Sequence, residues 1–218
     1  MPTPVAERKA RGEDARAARR EELLAAARRV FAQQGFRGTT IADIAEEAGI
    51  ALGTIYLYFP SKEDVFAALS EQFAEMIMVA LTDVPPAGSM EAAVRARVGN
   101  VFATCAENRD LVRLVVLNTD RDSAVMERMR HAAELRATPL VESIARGVDE
   151  GLVRKGDPVL MTKLSHGAVS MSVYQAFVLA DGRDWEQYRD ACGDMLIAYF
   201  TPPAGGMTEA ARQREGSA

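Results

Sequence analysis

Histidine and cysteine are scarce, two of each in 218 residues. Cys105 and Cys192 lie far apart and outside any CxxC spacing, which argues against a structural zinc and a disulfide framework and matches a reducing compartment. Long hydrophobic runs are missing too. The longest uncharged stretch, Leu164 to Ala180, has 17 residues and is broken by Ser165, His166, Ser170, Ser172 and Gln175. A bilayer span needs about 20 mainly apolar residues, so a buried helix is expected there. Behind the charged opening MPTPVAERKARGEDARAARR no apolar segment of the signal-peptide kind follows, and the expected location is the cytoplasm.

Strand-like alternation is also absent, as are a glycine-rich phosphate loop, metal-ligand spacings and a nucleophile paired with a base and an orienting acid. His166 has Ser165 and Ser170 near it on a helix but no such acid. The expectation is an all-α protein that is not an enzyme and carries no cofactor or metal.

Charge is unevenly spread. Residues 1–20 hold six basic side chains (Arg8, Lys9, Arg11, Arg16, Arg19, Arg20) against three acids, whereas residues 63–218 hold 16 basic and 23 acidic ones. A basic front on an acidic body confines contact with a polyanion to the front.

Helical periodicity dominates. EELLAAARRVFAQQGF puts Leu23, Leu24, Ala27, Val30 and Phe31 on one stripe, and Gly35 stops it. Thr39 or Thr40 caps a short helix, IADIAEEA, that Gly49 ends; AGIALGTIYLYFP follows, closed by Pro60. Ser61 caps a helix running to about Leu81, and VPPAGS is the clearest linker. Further helices are expected at 90–107, 109–119, 122–152 (bent near Pro139), 158–180 with Asp157 as cap, and 185–200 capped by Asp184. The expected parts are a basic flexible arm (1–18), a three-helix helix-turn-helix domain (19–65), a larger helical ligand-binding and dimerisation domain (66–200) and a flexible tail (201–218), with about nine helices.

TTIADIAEEAGIALGTIYLYFPSKEDVF resembles the signature of the TetR family of bacterial transcriptional repressors, and LLAAARRVFAQQGF resembles that family's first helix. The resemblance covers roughly residues 20–68; the remainder matches only in length, helical character and a final pair of long helices. It implies a ligand-responsive repressor, a homodimer with one short helix per subunit, here about Leu52 to Tyr58, in successive major grooves of a palindromic operator. By the same resemblance Thr40, Thr54, Tyr56, Tyr58 and Lys62 meet phosphates. Hydroxyls and an ammonium suit that task, and such contacts position the protein without reading sequence. Thr39 and Arg37 are placed on the same surface, and Gly53 permits close approach of backbone to DNA or to a neighbouring helix. Ala51, Leu52 and Leu57 stand where many members carry polar residues, which leaves methyl and shape contacts to the bases.

In the larger domain, Thr162, His166, Ser170 and Tyr174 recur every fourth residue on an otherwise apolar helix. That stripe either lines a ligand cavity or lies in an interface between two copies formed by the last two helices, about 158–180 and 185–200. Phe102, Cys105, Asn118, Met126 and Met129, with His166, Ser170 and Tyr174, are the candidate lining of a deformable effector pocket. Two other classes compete: a helical effector-binding adaptor without specific DNA binding, and an enzyme on a helical scaffold.

Overall fold

The computed structural model describes residues 4–84, 88–118 and 137–203. Among them are nine α-helices and no strand. The first, α1 (Pro4–Gly38), begins far earlier than expected: the stretch read as a flexible arm is helical from Pro4. Alanine, arginine and glutamate are strong helix formers, and they carry the helix well upstream of its apolar stripe. That stripe buries Leu23, Leu24, Ala26, Ala27, Val30 and Phe31. Gly35 breaks the helix with φ 72° and ψ 163°, and one more turn follows it.

Thr40 caps α2 (Ile41–Glu47) through a reciprocal box: its hydroxyl accepts from the Asp43 N–H, and the Asp43 carboxylate accepts from the Thr40 N–H at 2.7 Å. Gly49, at φ 66°, makes the left-handed turn. Next comes α3 (Leu52–Ile55), shorter than expected because the chain tightens into i→i+3 bonds: the Leu57 N–H donates to the Thr54 carbonyl at 3.1 Å and the Tyr58 N–H to that of Ile55 at 2.9 Å. Ser61 caps α4 (Lys62–Thr82), accepting from the Asp64 N–H.

The larger part adds α5 (Met90–Glu107), capped by Ser89, and α6 (Arg109–Asn118). Helix α7 (Thr138–Asp149) holds Pro139 in its first turn, where the missing N–H costs nothing; residues 122–136 of the helix expected over 122–152 lie outside the described residues. Met126 and Met129 lie outside the described residues. Asp157 caps α8 (Pro158–Tyr174), accepting from the N–H groups of Val159 and Leu160, and a π-helical turn continues it over Gln175–Leu179. The last helix is α9 (Trp185–Phe200). Asp184 does not cap it through its side chain: it lies in the left-handed region at φ 51°, and its carbonyl accepts from the Gln187 N–H.

Two apolar cores form, and their border is not at residue 65. The first joins α1, α2 and α3 to Val65, Phe66, Ala68 and Leu69 of α4 and to Leu111, Leu114 and Val115 of α6. The second gathers Ala80 of α4, Val98, Val101, Phe102 and Cys105 of α5, Val112 of α6, and Phe177, Cys192, Leu196 and Phe200. Helices α4 and α6 therefore belong to both cores, and Phe73 packs against each. By length and hydropathy α4 would also suit a membrane span; its two ends are instead built into the two cores.

Candidate nucleic-acid interface

The short helix α3 is pinned from behind. Ile55 is fully buried and Phe59 is 3% exposed. Their burial turns the opposite face outward: Leu52 is 45%, Tyr56 49% and Leu57 70% exposed, alongside exposed Ala51 and Gly53. Single exposed apolar residues are ordinary, but three large ones within six positions form a patch. A Cβ built on Gly53 would meet no protein atom within 4 Å, so the glycine is not needed for helix packing and its bare backbone faces away from the protein. Thr54 and Tyr58 are half-buried at the edges of this face. Arg37 and Thr40 are exposed nearby at the α1–α2 junction, the Thr40 hydroxyl being already engaged in its cap.

Two expected surface contacts are corrected. Thr39 is 1% exposed, and its hydroxyl donates to the Gly35 carbonyl at 2.8 Å; it ties off the end of α1 instead of facing outward. Lys62 turns its ammonium into the same junction. Its Nζ donates to the carbonyls of Phe36 at 3.1 Å and Thr39 at 2.9 Å, and lies 4.8 Å from the Phe36 ring centroid. Two of its three N–H groups are thus spent on backbone. The α1–α2 turn leaves carbonyls without helical partners, and the first residue of α4 supplies them.

The sequence left the basic residues from Arg8 to Arg20 either along a nucleic-acid backbone or in a solvated tail, and did not foresee that Arg16 and Arg20 of α1 meet the turn after α3. The Arg16 guanidinium donates to the Leu57 carbonyl at 3.3 Å and stands 5.9 Å from the Tyr58 ring centroid. Arg20 lies 5.2 Å from the Phe59 ring centroid. The clustering of basic residues before Leu23 was visible in the sequence; the return of the chain to meet them at Leu57 was not.

The expected effector pocket does not assemble as drawn. Phe102 and Cys105 are inside the second core, where Phe102 stacks near Trp185 at 6.3 Å and meets Phe177 at 6.1 Å between ring centroids. Burial pushes the Cys105 thiol up to about 12, so it behaves as a small apolar group. Asn118 closes the end of α6 on itself, its amide donating to the Leu114 carbonyl at 2.8 Å. His166 and Ser170 are exposed on the outer side of α8, 3.4 Å apart, and Tyr174 is half-buried. Protein atoms crowding the imidazole hold His166 below the ordinary histidine value, although its ring still reaches solvent. Around this pair the last two helices expose Leu160, Leu164, Met171 and Met195. The stripe's exposed members therefore keep company with a surface patch and not with Phe102.

Comparison with known proteins bears on this geometry. The sequence profile described as "Bacterial regulatory proteins, tetR family" matches residues 23–69. The HTH-type transcriptional repressor KstR2 of Mycobacterium tuberculosis is 41% identical over 66 residues, which cover 30% of this chain and 33% of that protein. The match thus spans about a third of that relative's length. The fatty acid metabolism regulator protein of Bacillus subtilis is 23% identical over 155 residues, covering 70% of this chain and 80% of its own. Among solved structures, the transcriptional regulator FadR from Bacillus subtilis in complex with stearoyl-CoA shares the fold with a TM-score of 0.71 at 20% identity, covering 83% of this chain and 98% of that one. The segment that contains α2, α3 and the start of α4 is thus similar to the tetR family of bacterial regulatory proteins, and the chain as a whole shares the fold of FadR.

Proposed function

We propose that this chain is a ligand-responsive transcriptional repressor that binds a palindromic operator as a homodimer. The observation that carries the reading is the outward face of α3, where Leu52, Gly53, Tyr56 and Leu57 are presented by a helix whose other side is locked by Ile55 and Phe59. A rigid mount with an exposed apolar and hydroxyl-bearing face fits the major groove, with one α3 per protomer about 34–36 Å apart. Phosphates fall to Arg37, Thr40, Thr54, Tyr56 and Tyr58. The bases meet Ala51, Leu52 and Leu57, whose methyl groups suit thymine.

The homodimer forms through α8 and α9, whose exposed Leu164, Met171 and Met195 need a cover. His166 and Ser170 belong to that interface. The effector is apolar or amphipathic and binds within the larger domain; the stearoyl-CoA held by the similarly folded FadR supports this class. It acts by favouring one of two spacings of the α3 pair, and only a difference in its affinity for the two moves the equilibrium. The route runs along α4 and α6, which are shared by both cores.

Selection of duplexes from a random library by the full-length protein tests this reading, followed by gel shifts at two salt concentrations. A palindromic consensus whose affinity falls steeply with salt is expected. A folded dimer that enriches no sequence would overturn it.

A further inference from the structure

Two arginines of α5 stand in opposite surroundings. Arg95 is exposed and meets the carboxylates of Glu91 at 3.0 Å and Asp194 at 2.9 Å, whereas Arg97 is half-buried and pairs with no carboxylate among the described residues. Burial alone acts on the Arg97 guanidinium and holds it below the ordinary arginine value. A charge withdrawn from water is costly unless an opposite charge meets it. Arg97 sits where three helices converge. Its Nε donates to the Leu81 carbonyl in the last turn of α4 at 3.2 Å, and its Nη2 to the Ser143 hydroxyl oxygen of α7 at 3.4 Å. Tying off α4 does not account for the charge: the Asn100 amide, one turn along α5, serves the adjacent Ala80 carbonyl at 3.2 Å without one. Of the five N–H groups of a guanidinium two are thus used, and among the described residues three remain, both on Nη1 and one on Nη2. They form the fork that takes a carboxylate or a phosphate through two bonds. The Ser143 hydroxyl accepts from Arg97, so its own proton is left to donate to the same anion.

Beside this fork lies apolar surface that the protomer covers only in part. At about 100° per residue, Ser143 shares one side of α7 with Leu140, Ile144 and Val148. Ile144 and Val148 pack against the second core, yet no residue of α7 is buried, and all three apolar side chains are half-buried. We propose that Arg97 and Ser143 anchor the head group of the effector, an amphipathic anion whose apolar chain follows the side of α7 marked by Leu140, Ile144 and Val148. This rests on the proposed ligand-responsive repressor and deepens it by naming the effector's charged end and its seat. Charge complementarity selects a carboxylate or phosphate head group, and the half-covered side of α7 selects an apolar chain. A neutral molecule of the same length leaves the guanidinium unpaired, so the site discriminates against it. The seat touches the last turn of α4, a helix built into both cores, and so lies on the route proposed above.

The test is calorimetric titration of the full-length protein with three probes that share one chain, dodecanoate, dodecanoyl-CoA and neutral dodecanol, each below its micelle concentration. The parent is compared with Arg97→Gln, Arg97→Lys and Ser143→Ala. The parent should bind at least one anionic probe more tightly than dodecanol. Arg97→Gln should lower anion affinity roughly 10–100-fold, as the loss of hydrogen bonds between charged groups does, and leave dodecanol binding unchanged. Arg97→Lys, which keeps the charge and loses the fork, should fall between, and Ser143→Ala should show a smaller loss. A preference for dodecanoate identifies a carboxylate head group, and a preference for dodecanoyl-CoA a phosphate one. Thermal unfolding without probe checks the end of α4; if Arg97→Gln loosens it, Arg97→Lys and Ser143→Ala carry the comparison. Equal anion affinity in the parent and all variants would overturn this inference, as would dodecanol binding as tightly as either anion. Both results leave a ligand-responsive repressor standing. A parent that binds none of the three probes would instead overturn the amphipathic effector on which the inference rests.

Discussion

Arg28 of α1 holds Asp110 at the start of α6 with two nitrogens, Nε 2.5 Å from Oδ2 and Nη2 2.6 Å from Oδ1. Its third nitrogen reaches the Asn108 Oδ1 at 3.1 Å. A guanidinium fork on a carboxylate fixes direction as well as distance. The pair therefore fastens the helix behind the exposed α3 face to the α5–α6 turn, beside the residues Leu111 and Leu114.

Hydrogen bonding from Arg28 lowers the Asp110 carboxyl below its ordinary value, against an opposing push from burial. A carboxylate with a depressed folded value contributes stability that is fully present above its unfolded value near 3.9 and fades as pH falls through the lower folded one. Both side chains are about a third exposed, so solvent screening keeps the effect small. Asp110→Asn should cost about 1 kcal/mol at neutral pH, the upper range for such pairs. In urea titrations its difference from the parent should shrink as pH drops below about 4. A difference independent of pH would mean that the pair does not stabilise the fold through its charge.

Lys62 yields a prediction opposite to that of a free phosphate ligand. Its Nζ serves the carbonyls of Phe36 and Thr39 and the face of the Phe36 ring. Lys62→Met removes charge-assisted bonds to groups that α1 and α2 leave unpaired, and should lower unfolding stability by about 2 kcal/mol. Equilibrium denaturation measures it. Parent-like stability would show that the ammonium is dispensable to the junction.

How much of this was legible depends on the range of the interaction. The caps at Ser61 and Asp157 and the left-handed turn at Gly49 are local chemistry, and spacing alone disclosed them; for α2 spacing narrowed the cap to Thr39 or Thr40, and it is Thr40. The face of α3 was legible because Ile55 and Phe59 are apolar at the positions its back requires. What stayed hidden depended on chain return. Nothing near Thr39 in sequence says that Lys62 takes its carbonyl. Arg28, which is not among the stripe residues of α1, meets an acid 82 positions away. Phe102 and His166 were grouped by chemistry alone, and packing separated them into core and surface. The flexible reading of 1–18 weighed charge and overlooked the helix propensity of alanine and arginine.

The exposed tip of α3 separates recognition from folding. Leu57 is 70% exposed and bonds the rest of the protein through its backbone only, so Leu57→Ala should change unfolding stability by no more than about 0.5 kcal/mol. Repeating the duplex selection with this variant should shift the consensus at the bases Leu57 would touch. Tyr56→Phe, which removes a hydroxyl, should weaken binding across all sequences while preserving the consensus. An identical consensus for Leu57→Ala would exclude base contact by that side chain.

In the proposed homodimer the outer face of the last two helices sets the assembly. Leu164 and Met171 on α8 are 52% and 58% exposed, and Met195 on α9 is 49% exposed. Gly167 lies between the first two, and a Cβ there would meet nothing within 4 Å of the protomer, which leaves room for a second helix to approach. Burying a large apolar side chain is worth about 1.5–3 kcal/mol, and a charge placed in the same contact must be desolvated without a partner. Met171→Arg should therefore shift sedimentation from dimer to monomer while far-ultraviolet circular dichroism stays unchanged, since the side chain is exposed in the single protomer. The monomer should bind one half-site weakly and lose most affinity for the full palindrome, because tethering of two α3 helices is gone. A persistent dimer in both Met171→Arg and Leu164→Arg would place the interface on another face of the molecule.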